Sequence, residues 1–162
     1  MSRLGDPRWR LALLVAATVV VLDQVTKMVV ERTMLLHQSI PLTPFLALTY
    51  ARNTGAAFSL MAGWPAALRL TVLLGVTLVA MAIVVSFLRQ TPPEHRWTVG
   101  ALGAVLGGAA GNLVCRVRYG EVVDFIELHW RHWSWPVFNV ADSAITIGVV
   151  ILVLASRRTP ER

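Results

Sequence analysis

Long apolar runs, separated by polar connections, dominate this sequence. Four of them are close to or above the roughly 20 residues that a helix needs to cross a bilayer. They cover about residues 9–30, 64–88, 97–114 and 136–155, and the third is the shortest. The pattern predicts an all-α membrane protein with four transmembrane helices, which form a single integral membrane domain over residues 1–162.

The two longer connections, 31–63 and 115–135, have a different pattern. Residues 45–50 alternate in the manner of a strand, and residues 121–135 alternate as well. Three tryptophans before the fourth run suit the membrane interface: Trp130, Trp133 and Trp135. Backbone near the membrane must be covered by protein or face water. We therefore expect a small extracytoplasmic β-element over the helices, followed by a periplasmic connection.

The composition supports a membrane protein. Of the 162 residues, 56% are hydrophobic and 15% are charged, against about a quarter charged in soluble domains. The net charge of +6 does not indicate nucleic-acid binding, because eight basic residues lie in the tails and the middle connection, with three acids. The positive-inside rule then places both termini in the cytoplasm and the connections 31–63 and 115–135 outside. The basic residues concerned are Arg3, Arg8, Arg10, Arg89, Arg96, Arg157, Arg158 and Arg162.

Cysteine and histidine positions give no sign of a disulfide framework or a metal site. Cys115 is the single cysteine, which excludes an internal disulfide. His129 and His132 have no further ligand cluster beside them, so we interpret them as interfacial residues. The first apolar run is longer than the apolar region of a signal peptide, and we expect a retained helix.

Two aspartates carry the candidate chemistry. Asp142 lies near the start of the fourth run, about one and a half to two turns inside it, and Asp124 lies in the polar segment before that run. A carboxylate in hydrocarbon is costly, so it is usually paired or used. Two carboxyls that meet titrate as a unit, with one ionised and one protonated, as aspartic proteases require. A proton relay in a small proton-coupled transporter or channel subunit is the alternative.

Further polar residues in or near the spans have structural interpretations. Asp23 and Lys27 lie one turn apart and are expected to pair, with Lys27 snorkelling to the interface; a role in docking the outer segment is the alternative. Asn53 suits a turn. Asn112 and Arg116 share a helix face at the outer end of the third span, where anchoring at the interface would explain them.

Glycines in the third span recur at helical spacing: Gly103, Gly107 and Gly111. Small residues with this spacing allow helix backbones to approach closely in lipid. The glycines are therefore interpreted as packing positions. An assembly protein held together by this face is a third functional reading.

Four segments resemble lipoprotein signal peptidase (signal peptidase II), a polytopic aspartic protease family of bacterial membranes. They are DQVTK at 23–27, RNTGAAFS at 52–59, GNL through Arg116 to VDF at 111–125, and FNVADS at 138–143. The segments occur in the family's order and cover nearly the whole chain except the tails.

The resemblance implies a substrate, a site and a location. Asp124 and Asp142 match the catalytic pair, and four further residues match substrate-binding positions: Asn53, Asn112, Arg116 and Asn139. The implied substrates are diacylglyceryl-modified prolipoproteins, cut just before the lipidated cysteine, with no metal or organic cofactor. We expect a monomer in the bacterial cell (inner) membrane, in contact with membrane lipid, with its site toward the outer face.

One position departs from the family pattern. The family usually has aspartate where this chain has Cys115. The change removes an acceptor that could orient Arg116 or a substrate amide, and it leaves both catalytic aspartates in place. We expect weaker substrate positioning with the chemistry retained.

Overall fold

The computed structural model describes residues 6–55, 61, 63–131 and 133–157. In chain order the elements are α1 (Pro7–Thr33), β1 (Ser39–Thr43), β2 (Leu46–Asn53), α2 (Ala66–Gln90), α3 (Arg96–Tyr119), β3 (Val122–Trp130), β4 (Trp133–Ser134) and α4 (Val140–Ser156). His132, residues 56–59 of the second family segment and the basic residues at 3, 158 and 162 lie outside the described residues.

Three helices are long and apolar enough to cross a membrane: α1, α2 and α3. The fourth, α4, is also apolar but has 17 residues and is the shortest helix among the described elements. The third apolar run is the shortest of the four, but the helix that it forms is not the shortest. Helix α3 has 24 residues because it continues to Tyr119, where Gly120 ends it in the left-handed conformation at φ 74°. The first residues of the connection 115–135 are thus helical.

Helix α4 begins later than its apolar run, because Asn139 caps it. The Asn139 side chain accepts from the backbone N–H of Asp142, and the Asp142 side chain accepts in return from the backbone N–H of Asn139. This reciprocal capping box fixes the first turn at Val140. Asp142 therefore lies in the first turn of α4, and the expected depth of one and a half to two turns is wrong.

The helices pack around α3, which contacts α1, α2 and α4. Two of its glycines lie directly against the backbone of α1. A Cβ at Gly103 would be 2.6 Å from the Ala12 carbonyl oxygen, and one at Gly107 would be 2.7 Å from the Ala16 carbonyl oxygen. The glycines at this spacing are thus packing positions, as the sequence indicates.

A four-stranded antiparallel sheet, in the order β1-β2-β3-β4, lies at the end of α1. Its buried side forms a cluster with that end of α1: Val30, Met34, Tyr50, Val123 and Phe125. The predicted β-element is therefore present, with residues 46–50 of the alternating segment in β2. In the β2–β3 pairing Ala51 lies opposite Asp124, and Asn53 lies opposite Val122. This register brings the end of β2 to the carboxylate on β3.

Candidate active site

Asp124 is buried in β3 and is held by two side-chain amides. The residue is 2% exposed to solvent. One carboxyl oxygen accepts from Nδ2 of Asn53 at 2.9 Å, and the other accepts from Nδ2 of Asn139 at 2.6 Å. Both bonds run from other elements, so the carboxyl is fixed between β2 and the start of α4.

Asp142 faces the same asparagine. One of its carboxyl oxygens accepts from the backbone N–H of Asn139 at 3.3 Å, and the other accepts from Nδ2 of Asn112 at 2.8 Å. Asn139 is fully buried, and its Nδ2 is the atom that donates to Asp124. The structure therefore brings both aspartates to one residue, as the hypothesis of paired carboxylates requires.

A buried ion pair supports this arrangement from α1. Lys27 Nζ donates to Asp23 at 2.8 Å and to Oδ1 of Asn112 at 2.9 Å. The other Asp23 oxygen accepts from the backbone N–H of Ala141 at 3.0 Å. The predicted pair is confirmed, but the expectation that Lys27 snorkels is wrong, because Lys27 is 2% exposed and bonds within the protein.

The sequence alone does not place Asp23 and Lys27 in this network. The available signal was two ionisable residues inside one predicted span, which indicates partners on neighbouring helices. Which neighbours they meet depends on helix rotation, and the apolar pattern of a lipid-facing helix does not define it. In the structure they meet the side chain of Asn112 and the backbone of Ala141.

Burial raises the pKa of Asp124 from its ordinary 3.8 to about 6. The hydrogen bond from Asn53 opposes this increase in the pKa, whereas the charge of Asp142 adds to it. The hydrogen bond from Asn139 and the charge of Lys27 also lower the pKa. Asp124 can therefore gain or lose a proton close to neutral pH, as an acid–base group must.

Arg116 lies near the two aspartates, and one of its side-chain nitrogens makes no hydrogen bond to the described residues. The side chain is half-buried, and its charge interacts with Asp142 and Asp124. Its Nε is buried and has no hydrogen-bond partner among the described residues. A buried donor without an acceptor is costly, so this N–H is available to a ligand carbonyl. Anchoring at the interface does not by itself account for a buried donor without a partner.

Asn53 forms the turn that its sequence position suggests, and it also contacts the buried Asp124. Its Oδ1 accepts from the backbone N–H of Gly55 at 2.8 Å, which forms a turn, and its Nδ2 donates to Asp124. Gly55 has φ 78°, where glycine is favoured. The turn therefore orients the amide that reaches the carboxylate.

Cys115 is buried on the side of α3 that faces α1. Its sulfur lies 3.7 Å from Nε2 of Gln24, and the same nitrogen donates to Asp23 and to the carbonyl of Gly111. Cys115 thus contacts Gln24, which in turn bonds to Asp23 of the buried ion pair. Within the part of the chain that the structure describes, no three His, Cys, Asp or Glu side chains cluster as metal ligands would.

Comparison with known proteins identifies the family. A family model described as signal peptidase (SPase) II matches residues 15–158. The chain belongs to the signal peptidase II family. A lipoprotein signal peptidase of Geobacter metallireducens is 44% identical over 157 residues, which cover 96% of each chain. One of Syntrophotalea carbinolica is 45% identical over 152 residues, which cover 93% of each chain. Membership of this family makes the chain a peptidase.

Solved structures show the same fold. One, titled as a bacterial membrane enzyme structure at 1.9 Å resolution, superposes with a TM-score of 0.81 at 34% identity and covers 91% of this chain and 92% of its own. A second, at 2.3 Å resolution, has a TM-score of 0.79 at 33% identity and covers 93% of both chains. The signal peptidase II chain described here therefore has the fold of a bacterial membrane enzyme.

Proposed function

We propose that this protein is an intramembrane aspartic endopeptidase that removes the signal peptide from diacylglyceryl-modified prolipoproteins. The cut falls just before the lipidated cysteine. The observation that carries the proposal is that Asn139 donates to both Asp124 and Asp142, so that one residue holds both carboxyls, and the charge of Asp142 acts on Asp124. Family membership and the curated relatives named lipoprotein signal peptidase supply the substrate class.

The mechanism uses one proton on the carboxyl pair. The ionised carboxylate takes a proton from a water molecule, and the resulting hydroxide forms a bond to the carbonyl carbon of the scissile peptide. The protonated carboxyl donates its proton to the carbonyl oxygen, which gives a neutral tetrahedral diol. When the C–N bond breaks, the nitrogen of the lipidated cysteine takes a proton from the carboxyl that activated the water, and it leaves as a free amine. One hydroxyl of the diol gives its proton to the other carboxylate as the product carboxyl group forms. The pair then holds one proton again.

The surrounding side chains position the reacting groups. The amides of Asn53, Asn112 and Asn139 orient the carboxyls. The buried N–H of Arg116, which has no partner among the described residues, donates to a carbonyl of the bound substrate in this scheme. Positioned groups lower the entropic part of the barrier. A monomer is sufficient in this scheme, with no metal or organic cofactor, because every proposed role falls on this one chain.

The membrane arrangement follows from the helices and their charges. Helix α4 has 17 residues and a length of about 25 Å at about 1.5 Å per residue, so with its flanking residues it serves as the fourth span. Arg8 donates to the carbonyls of Arg89 and Thr91, which places the start of α1 beside the α2–α3 turn. We infer that this basic end is cytoplasmic and that the carboxyl pair lies toward the outer face of the bacterial inner membrane.

The test is cleavage of a purified prolipoprotein with and without its diacylglyceryl group. In detergent or vesicles, only the lipidated form should release its signal peptide, and mass spectrometry should find the lipidated cysteine at the new N-terminus. Equal cleavage of both forms, or a cut elsewhere, would contradict the proposed specificity. Proton flux across vesicles without cleavage would instead support the transporter alternative.

A further inference from the structure

Arg52 joins three elements at the edge of the site. On β2, its Nε donates to the hydroxyl of Tyr50 at 2.8 Å. Its guanidinium bonds to Glu31 of α1 at 2.7 Å. The same guanidinium lies 5.0 Å from the ring centre of Tyr119, the last residue of α3, and 5.6 Å from that of Tyr50. One side chain thus connects β2 to the ends of α1 and α3.

The next residue along β2 contacts the carboxyl pair. Asn53 is exposed, yet its Nδ2 donates to the buried Asp124. An exposed side chain at the end of a strand is held there by its backbone and its neighbours. In the described part of β2, Arg52 is the neighbour with contacts to both helices.

We propose that Arg52 is a positioning residue, which fixes the end of β2 against α1 and α3 so that Asn53 stays bonded to Asp124. The inference rests on the proposed function of Asp124. Arg52 itself touches neither aspartate in this account and acts through Asn53.

The chemistry of these contacts requires arginine. The planar guanidinium makes the ion pair, the bond to the tyrosine hydroxyl and the two ring contacts at once. A lysine would keep the charge toward Glu31 but would lose the planar fork and most of the stacking. The Glu31–Arg52 side chains are 20% and 24% exposed, so the ion pair is screened only in part. Lysine should therefore restore part of the function.

A pH readout separates positioning from general stability. The bond from Asn53 lowers the pKa of Asp124; if Asn53 moves away, that pKa rises. The other groups that face Asp124 stay in place: Lys27 of α1 and the charges of Arg116 and Asp142. The charged groups near Arg52, apart from the residues to which it bonds, are Glu121 and Arg118. The side of the pH profile of kcat/KM that reflects the titration of Asp124 should therefore move to higher pH.

The experiment compares Arg52→Gln, Arg52→Lys and Arg118→Gln by kcat, KM and the pH profile of kcat/KM. Arg118 is a matched control, because it lies 5.0 Å from the same Tyr119 ring but contacts it from within α3. We expect Arg52→Gln to lower kcat by about 10- to 100-fold, as a small misplacement of reacting groups does, and to shift the profile upward. Arg52→Lys should fall between it and the wild type, and Arg118→Gln should match the wild type.

Several outcomes would overturn the proposal. An Arg52→Gln protein with wild-type kcat and an unshifted profile is one, and a change in the folded fraction alone is another. If Arg52→Gln does not fold, Arg52→Lys and Glu31→Gln carry the test, since both weaken the same contact and should shift the same limb. Asp124→Asn in the same assay distinguishes a failure of the proposed function from a failure of the role of Arg52. Cleavage by Asp124→Asn would contradict the proposed function. If Asp124→Asn is inactive and Arg52→Gln has normal activity, only the role of Arg52 is contradicted.

Discussion

Asn139 makes three contacts, two through its side-chain amide and one through its backbone N–H. It caps α4, its Nδ2 donates to Asp124, and its backbone N–H donates to Asp142. A residue with both a structural and a chemical role can be tested by a substitution that keeps one and removes the other. Serine is such a substitution, because it caps helices about as well as asparagine but has no amide to donate.

Asn139→Ser and Asn139→Ala should therefore differ in stability and agree in activity. Both variants lose the donor to Asp124 and should cleave at most a few per cent as fast as the wild type. Alanine should also cost about 1 kcal/mol through the lost cap, whereas serine should keep most of that stability. Thermal unfolding in detergent and initial cleavage rates measure the two effects. Wild-type activity in Asn139→Ser would contradict a role for the amide.

The raised pKa of Asp124 predicts a pH dependence of stability. Its folded-state pKa of about 6 lies above the ordinary 3.8. The stability from its neutral form is thus complete below about pH 4 and is lost as pH rises through about 6. Between pH 4 and 7.5 the wild type should lose on the order of 2 to 3 kcal/mol relative to Asp124→Asn, which does not titrate. Denaturation of both proteins at the two pH values measures this, and parallel curves would disprove it.

Cys115 offers a substitution toward the family pattern. Its sulfur lies 3.7 Å from the Gln24 amide, in a cavity of about 260 Å³ that Lys27 also lines. A carboxylate in this place would accept a stronger hydrogen bond beside cations. We expect Cys115→Asp to lower KM by a few fold and leave kcat unchanged, with Cys115→Ser as the neutral control. Identical KM values for wild type and Cys115→Asp would refute weakened positioning.

At the level of elements, the start of α4 depends on how closely α3 approaches it. A Cβ at Gly108 would fall on the carbonyl oxygen of Ala141 and lie 2.7 Å from a side-chain carbon of Ile145. Ala141 directly precedes Asp142 in the first turn of α4. The spacing of α3 and α4 therefore sets the position of a catalytic candidate.

Gly108→Ala should push the first turn of α4 away from α3. We expect a loss of cleavage rate of about 100-fold from the displaced carboxyl, and about 1–3 kcal/mol of stability from overpacking. Gly100→Ala is the matched control on the same helix, because its Cβ would meet nothing within 4 Å. Rates and unfolding of both variants measure the difference. Equal rates for the two would show that the contact does not position Asp142.

The sequence predicts elements better than it predicts their edges and partners. Apolar runs long enough to span a membrane predict α1, α2 and α3 because hydrocarbon thickness sets their length. The start of α4 was missed because its signal is the Asn139–Asp142 capping box, which lies inside the apolar run. The sequence predicts Lys27 at the interface, because periodicity along one helix does not show which polar groups a neighbouring helix offers. The segments that resemble the family identify the candidate site residues in the sequence. The hydrogen bonds among those residues are visible only in the structure.

At the scale of the whole molecule, polar contacts gather at opposite ends of the helices. The contact of Arg8 with Arg89 lies at one end, and the sheet with Asp124 lies beside the far end of α1. Apolar helix surface is exposed between them, for example at Leu14, Val76 and Val79. A substrate of the proposed class would approach over this apolar surface and meet the carboxyl pair beside the sheet. The orientation of the two ends across the membrane stays a prediction.

The most direct test of the account is a single-turnover assay of Asp124→Asn and Asp142→Asn with a diacylated prolipoprotein. Glu94→Gln serves as the control, because Glu94 is an exposed carboxylate in the α2–α3 connection. We expect both aspartate variants to fold in detergent and bind substrate but to release no signal peptide above the uncatalysed background, while Glu94→Gln cleaves at the wild-type rate. Cleavage at the wild-type rate by either aspartate variant would contradict this expectation.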